Sequence, residues 1–284
     1  MSSIKRIESG KIYHYTSKDS VFGIIENRSL HLRNIEHMND TNELKYLNNY
    51  LQSYKKRNFI STKIVSNILQ EVERIIAYYD VFVFSTSSNK DSKTLWERYT
   101  KPKYDGYNIG FSIHKVRELF KRYEITEGNG NNILFFEDGE ILYSELEKQK
   151  IVDENIKAYI FHHTTNQEDH NYNTNLMRTY LYLYSIFFKG FKKWSEEKEY
   201  RFAFFVEKEY AKRIKQTKKI DNKIITYISI CLQDKDIKHP FEEIVIGSRN
   251  DYENDIIALR KLLDTKPYYK ELRNNISKSI IQKK

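Results

Sequence analysis

A core for this chain has to be built largely from aromatic rings. The 284 residues include 23 Tyr and 16 Phe, while the hydrophobic share as a whole is only 39% and the mean hydropathy is negative. Tyr and Phe bury large areas per residue, and a chain of this length can bury well over half of its unfolded surface. Aromatic-rich strands covered by helices are therefore the architecture to expect. Nine Gly and three Pro are few, which argues against a Gly-rich phosphate loop and against long flexible linkers. Neither GxGxxG nor GxxxxGK occurs in the sequence.

The periodicity predicts strands at Lys11–Tyr15, Ser29–Arg33, Val81–Thr86, Tyr107–Ile113, Asn132–Glu137, Tyr200–Val206, Ile224–Leu232 and Glu243–Gly247. Helices are predicted at Asp19–Asn27, with Ser17 or Asp19 as cap, and at Glu43–Lys56, Thr62–Tyr79, Leu95–Tyr99, His114–Tyr123 and Tyr252–Leu263. From Ile141 to about Lys189 the pattern is mainly helical, broken by a His-, Thr- and Asn-rich stretch between His162 and Asn175, and reads as an inserted helical hairpin. Residues 1–273 then form one α+β domain, a split mixed sheet wrapped by helices with an insertion at about 141–190. Residues 274–284 read as a polar, frayed tail.

The formal charge is +9, and seven cationic side chains gather between Lys208 and Lys223. Such a patch suits a polyanion such as nucleic acid, and equally reads as a solvated face. The single cysteine, Cys231, lies in the mostly apolar run Ile228–Leu232 and reads as a buried strand thiol; no disulfide within the chain and no Cys-based metal site can be built from it. Met1 to Gly10 has no signal-peptide-like stretch, and Leu181–Phe188 is too short to span a bilayer. The expectation is a cytoplasmic protein with no membrane partner.

Three short motifs carry the chemistry: Tyr13-His14-Tyr15-Thr16, Ser85-Thr86-Ser87 and Glu197-Lys198-Glu199. Each opens or closes a predicted strand, so neighbouring strands could gather His, Ser and Glu side chains round one cleft. His14 would project to the side opposite Tyr13 and Tyr15 and reads either as a ligand contact or as a structural histidine. Thr16 and Ser17 read as ligand donors or as helix caps. The Ser85 hydroxyl could bond a carboxylate or a ribose. Trp96 and Tyr99, three apart on a short helix, could stack on a planar ring or belong to the core. Glu197 and Glu199, two apart in extended chain, would face one side with Arg201 beside them. One carboxylate could then stabilise positive charge on a ribose carbon while the other orients a nucleophile; a solvated edge of the sheet is the plain alternative.

Taken in order from residue 11 to about 250, Tyr13 to Thr16, Asn39-Asp40 with Glu43, Phe84-Ser85, Trp96 with Tyr99, and Trp194, Glu197, Glu199 and Arg201 resemble the pattern of the bacterial domain of unknown function 2971 family. The Tyr-His-Tyr-Thr start is also similar to the opening strand of ADP-ribosyltransferases. Glu197-Lys198-Glu199 resembles their Glu-x-Glu element, and Ser85-Thr86-Ser87 the Ser-Thr-Ser strand of their toxin branch, although His-type starts and Ser-Thr-Ser strands belong to different branches. This resemblance implies an ADP-ribosyltransferase-like split sheet and NAD as substrate. It implies Glu199 as the catalytic glutamate, Glu197 as the residue that orients the acceptor, and a NAD-binding set of His14, Tyr15, Thr16, Ser85, Trp96, Tyr99 and Arg201, with no metal.

The expected activity is cleavage of NAD at the nicotinamide–ribose bond and transfer of ADP-ribose to a macromolecular acceptor, with nucleic acid the first acceptor class to test. A toxin or phage-defence role, with an inhibitory partner protein, follows only by association with such families. Two other readings stand beside it. One is a metal-dependent nuclease using Glu196-Glu197-Lys198 with Asp80 or Asp138; the other is a non-catalytic RNA- or partner-binding module.

Overall fold

The computed structural model describes residues 4–38, 46–58, 62–100, 102–128, 132–165, 185–190, 194–220, 223–234, 239–249 and 251–281. It begins with β1 (Lys11–Thr16), α1 (Lys18–Asn27) and β2 (Ser29–Asn34). The helices α2 (Tyr46–Asn58) and α3 (Thr62–Tyr78) lead into β3 (Tyr79–Ser87), α4 (Lys93–Tyr99), β4 (Tyr107–Ser112) and α5 (Ile113–Lys121). After β5 (Ile125–Thr126) and β6 (Asn132–Glu140) comes α6 (Glu145–Thr165). The last third is β7 (Glu199–Glu207), α7 (Lys208–Ile214), β8 (Gln216–Ile220), β9 (Lys223–Cys231), β10 (Phe241–Ile246), α8 (Tyr252–Asp264) and β11 (Ile276–Lys278). Side-chain caps set several helix starts: the Ser17 hydroxyl accepts from Ser20 N, that of Ser112 from Lys115 N and the Asp251 carboxylate from Asn254 N.

Among the described residues these strands form one mixed sheet. One path through it runs β11, β10, β4, β1, β3, β2, β9, β8, and a branch runs from β3 through β7 and β6 to β5. The branch exists because β3 is shared. β7 pairs along one whole edge of it, from Tyr79↔Glu207 to Ser87↔Glu199. On the other edge β2 pairs at Val83 and Phe82, and β1 pairs at Ser87. Between those two contacts the sheet divides.

Alternation along the strands gives each face its own core. On the first face Ile12, Phe84, Phe111, Phe202 and Phe204 pack with side chains of α1, α5, α7 and α8. Many of the contacts are edge-on aromatic pairs, among them Phe120–Phe204 at 4.9 Å, so the aromatic content supplies the core as expected. On the second face Val81, Val83, Ala203 and Phe205 lie under α2, α3 and α6.

Several expectations are corrected. Residues 274–281 are not a frayed tail: Ile276–Lys278 pairs in parallel with β10, and Ser279 and the Ile280 amide bond the Asp91 carboxylate. Cys231 is exposed, because alternation turns it away from Ile230 and Leu232, which are buried. The segment Lys208–Ile220 forms α7 and β8, where only charge was legible. Of the expected helical hairpin, α6 is observed with the Leu142↔Phe188 bridge at the base of the insertion; residues 166–184 lie outside the described residues, as do Asn39, Asp40 and Glu43. Among the described residues no helix is long and apolar enough to cross a membrane.

Candidate active site

Glu197 and Glu199 meet, but by a different route from the one extended chain would give. Glu197 ends a 3-10 turn (Ser195–Glu197), Lys198 sits in the left-handed region at φ 42°, ψ 50°, and Glu199 opens β7. That kink folds the two carboxylates onto a common cation. Lys189 Nζ lies 3.2 Å from Glu197 Oε2 and 2.6 Å from Glu199 Oε2. Arg201 Nε donates to Glu199 Oε1 at 2.9 Å, and Arg98 Nη1 donates to Glu197 Oε1 at 3.1 Å, the same oxygen that accepts from the Tyr99 hydroxyl. Glu197, Glu199, Lys189 and Arg201 are all at most 4% exposed, and buried charges at such density persist only when paired in this way.

The base of the insertion supplies Lys189 and neutral supports for Arg201 and Glu199. Lys189 N donates to Leu142 O, Arg201 Nη1 to Ile186 O at 2.5 Å, and Glu199 N to the Tyr143 hydroxyl at 3.0 Å. Trp194 closes the side: Lys189 Nζ and the Arg98 guanidinium stand 4.9 and 5.2 Å from its ring centre, both in cation–π contact. Burial alone would raise the pKa of Glu199, but the charges of Arg201 and Lys189 win and hold it at about 2. Burial, reinforced by the two glutamates, pushes the phenols of Tyr99 and Tyr143 well up, so both stay protonated.

One buried hydroxyl in this region, Ser85 Oγ, has no hydrogen-bond partner among the described residues, whereas both Glu199 oxygens are engaged, Oε1 by Arg201 and Oε2 by Lys189. Ser85 is paired with Arg201 and Ser87 with Glu199 across β3 and β7, so Ser85 and Glu199 project from the same face. The other two hydroxyls of the motif fasten the turn. Thr86 Oγ1 donates to Tyr200 O at 2.7 Å and Ser87 Oγ to Glu197 O at 2.6 Å.

The three motif strands are immediate neighbours: Tyr13 pairs with Ser87 and Ser87 with Glu199. His14 sits where the sheet divides. Its Nδ1–H donates to the Ser85 carbonyl at 3.0 Å, standing in for the missing strand, and its ring packs 5.0 Å from Phe84 on the first face. Burial lowers its pKa, outweighing the Ser85 bond, so the ring is neutral with Nε2 as acceptor. The geometry therefore brings together Glu197, Glu199, Arg201, Tyr99 and Ser85, with His14 at the seam.

Tyr15, Thr16 and Trp96 are engaged elsewhere. Tyr15 donates to Asn89 O, accepts from Ser92 N and meets Trp96 edge-on at 4.9 Å. Trp96 is fully buried, with Nε1–H on Asp91, and Thr16 is buried at the end of β1. These contacts make Tyr15 and Trp96 core members that hold α4, and with it Arg98 and Tyr99, against the glutamates.

Sequence reasoning missed Lys189, Arg98 and Tyr143. Lys189 had a signal, a cation closing the apolar run Ile186-Phe187-Phe188, whereas the other two follow only from long-range packing. The acids of the nuclease reading do not gather. Asp138 pairs with Phe202 and therefore projects from the face opposite Glu199, Asp80 faces Lys215 at 3.3 Å, and Glu196 accepts from Thr94 Oγ1.

Residues 95–202 match the model of a protein family of unknown function, DUF2971. This supports the family resemblance over that stretch, which runs from α4 into β7 and carries Tyr99, Lys189, Trp194 and both glutamates. The β1 and β3 motifs precede it. No curated protein and no solved structure matches the chain.

Proposed function

We propose that the chain is an ADP-ribosyltransferase whose site is the Glu197–Glu199 cluster. One observation supports this reading: a single row across adjacent strands joins Tyr13, Ser87 and Glu199, and the buried, ionised Glu199 of that row shares its face with Ser85 Oγ, which has no hydrogen-bond partner among the described residues. A buried hydroxyl with no partner is unfavourable unless a ligand completes it. A ribose, with hydroxyls that both donate and accept, has the chemistry to do so.

In this reading NAD is a substrate. The bond from the ribose C1′ to the nicotinamide nitrogen breaks, its electron pair leaves on nicotinamide, and positive charge develops on the sugar. Glu199, held ionised by Arg201 and Lys189, offsets that charge. Glu197 orients the acceptor, whose nucleophile forms the new bond to C1′ and passes its proton to a carboxylate or to water. The Tyr99 and Arg98 contacts on Glu197 set the direction of that carboxylate. The acceptor class is a nucleic acid, in keeping with the +9 charge.

The test is incubation of the protein and its Glu199→Gln variant with labelled NAD and separate pools of RNA, DNA and protein, with chelator present throughout. Label transfer to one pool, or nicotinamide release, that falls by ~10²–10³ in the variant is the expected result. Equal behaviour of the two proteins, or no turnover with any pool, would sink the reading.

A further inference from the structure

A second group of side chains on the face that carries Glu199 is cationic and has no carboxylate partner among the described residues. Arg33 pairs with both Val83 and Tyr227, and His31 pairs with Ser229. Lys218 is two residues from Gln216, the partner of Tyr227 on β8. Directly paired residues share a face, so Arg33, His31, Tyr227 and Lys218 project from the same side as Val83, Ser85 and Arg201. There Lys218 Nζ stands 3.3 Å from His31 Nδ1 and 5.0 Å from the centre of the Tyr227 ring, and the His31 ring lies 4.3 Å from that of Tyr227. Lys218 can donate to Nδ1 only while His31 is neutral, which turns the imidazole Nε2–H into an outward donor.

No carboxylate pairs with Arg33, His31 or Lys218 among the described residues, and the Arg33 guanidinium makes no hydrogen bond there. The contrast with the cations packed around β7 is sharp: Lys189, Arg201, Arg98 and Arg117 each face an acid. Burial lowers the pKa of Lys218, His31 and Arg33, and like charge adds to it, Arg33 acting on Lys218 and Lys218 on His31. The Arg33–Lys218 repulsion weighs on the fold, and an anion resting on the two cations would convert it into binding.

We propose that Arg33, Lys218 and His31 form a phosphate-binding site on the sheet face shared with Glu199. The donor set is a planar guanidinium fork, an ammonium and an imidazole N–H, which suits a diphosphate or phosphodiester better than a carboxylate. Its position adjoins the glutamate cluster, since Arg33 interacts electrostatically with Tyr99, the phenol that donates to Glu197, and with His14. The phosphate would belong to the NAD diphosphate or to a nucleic-acid backbone. The site stands on its own geometry, whereas its place in a reaction rests on the transferase reading.

Binding of inorganic pyrophosphate, ADP-ribose and a labelled eight-nucleotide RNA to the full chain, compared with Arg33→Gln, Arg33→Lys and Lys218→Gln, tests it. At least one phosphate ligand is expected to bind the parent protein and to weaken roughly tenfold or more in Arg33→Gln, with Arg33→Lys between the two. Loss confined to ADP-ribose and pyrophosphate identifies the dinucleotide as the source. Loss for RNA, with the salt slope reduced by ~0.7 in Lys218→Gln, identifies the nucleic acid.

Removing Arg33 should leave the unfolding midpoint unchanged or raise it, because a like charge is taken away. Ligands that do not bind the parent, variants that bind as well as the parent, or a lowered midpoint in Arg33→Gln would each overturn the proposal. Pyrophosphate binding without any nicotinamide release would sink the transferase and leave the phosphate site standing.

Discussion

Two buried charge networks hang from consecutive residues of β7, on opposite faces of the sheet, and they are built to different standards. On the first face Asp138 Oδ2 accepts from Arg117 Nε at 2.6 Å and from the Tyr200 hydroxyl, and Arg117 Nη2 bonds that same hydroxyl at 2.6 Å. Arg6 adds a backbone bond at Asp138 O. Among the described residues no buried side-chain atom of that network lacks a hydrogen-bond partner. On the second face Glu197, Glu199, Lys189, Arg98 and Arg201 concentrate more charge in less water, yet the neighbouring Ser85 Oγ has no partner among the described residues. A completed network specifies a fold, whereas an incomplete one retains capacity for something from outside.

Breaking each network should expose that difference. Lys189→Met leaves two carboxylates facing each other with less compensation in a site that is nearly dry. A loss of ~3–5 kcal/mol in urea unfolding is expected, largely recovered when Glu197→Gln is added. Asp138→Asn should cost less, about 2 kcal/mol, because Arg117 is 15% exposed and can draw on water. If the Asp138 change proves the more damaging of the two, the ranking of the networks is reversed.

Acid sharpens the same contrast. The folded pKa of Glu199 is depressed from 4.5 to about 2, so its contribution is fully present above pH 4.5 and is lost as pH falls through about 2. The melting temperature of the parent should fall more steeply than that of Glu199→Gln across that window, and parallel curves would remove Glu199 from the list of groups that drive acid unfolding. The smallest effect compares two adjacent hydroxyls. Thr86→Val breaks a buried bond to Tyr200 O and should cost about 1 kcal/mol. Ser85→Ala removes an atom with no partner and should be neutral to slightly stabilising, while lowering any NAD-dependent turnover.

The sequence made the frame of this arrangement readable. The positions of β1, β2, β3, β4, β6, β7, β9 and β10 followed from alternation, and the Ser17 cap and the adjacency of the three motif strands followed from where each motif met a strand end. The pairing of Arg201 with Glu199 was also visible, as two residues of one strand face. The turn at Lys198 was not, because a left-handed residue that is not glycine leaves no mark in composition. Extended chain would also have aligned the two carboxylates, so the right grouping emerged from the wrong geometry. Ser-Thr-Ser gave no hint that two of its hydroxyls secure the turn and the third is spare, since that depends on what β7 presents across the sheet. Trp96 looked equally suited to a ligand and to a core; Asp91 and Tyr15 decide it for the core.

The division of the sheet at β3 also bears on how the molecule assembles. β3 must recruit partners from three remote parts of the chain, and Ser87 Oγ reaches Glu197 O across 110 positions. Loops of that span close slowly and are rewarded only once both ends are in register. The glutamate pair is therefore expected among the last features to form, and chains caught partway through folding would hold the helices and hairpins without it. An activity that depended on this pair would switch on with completion of the tertiary structure and disappear at its first loosening, which makes turnover a more sensitive reporter of global integrity than helix content.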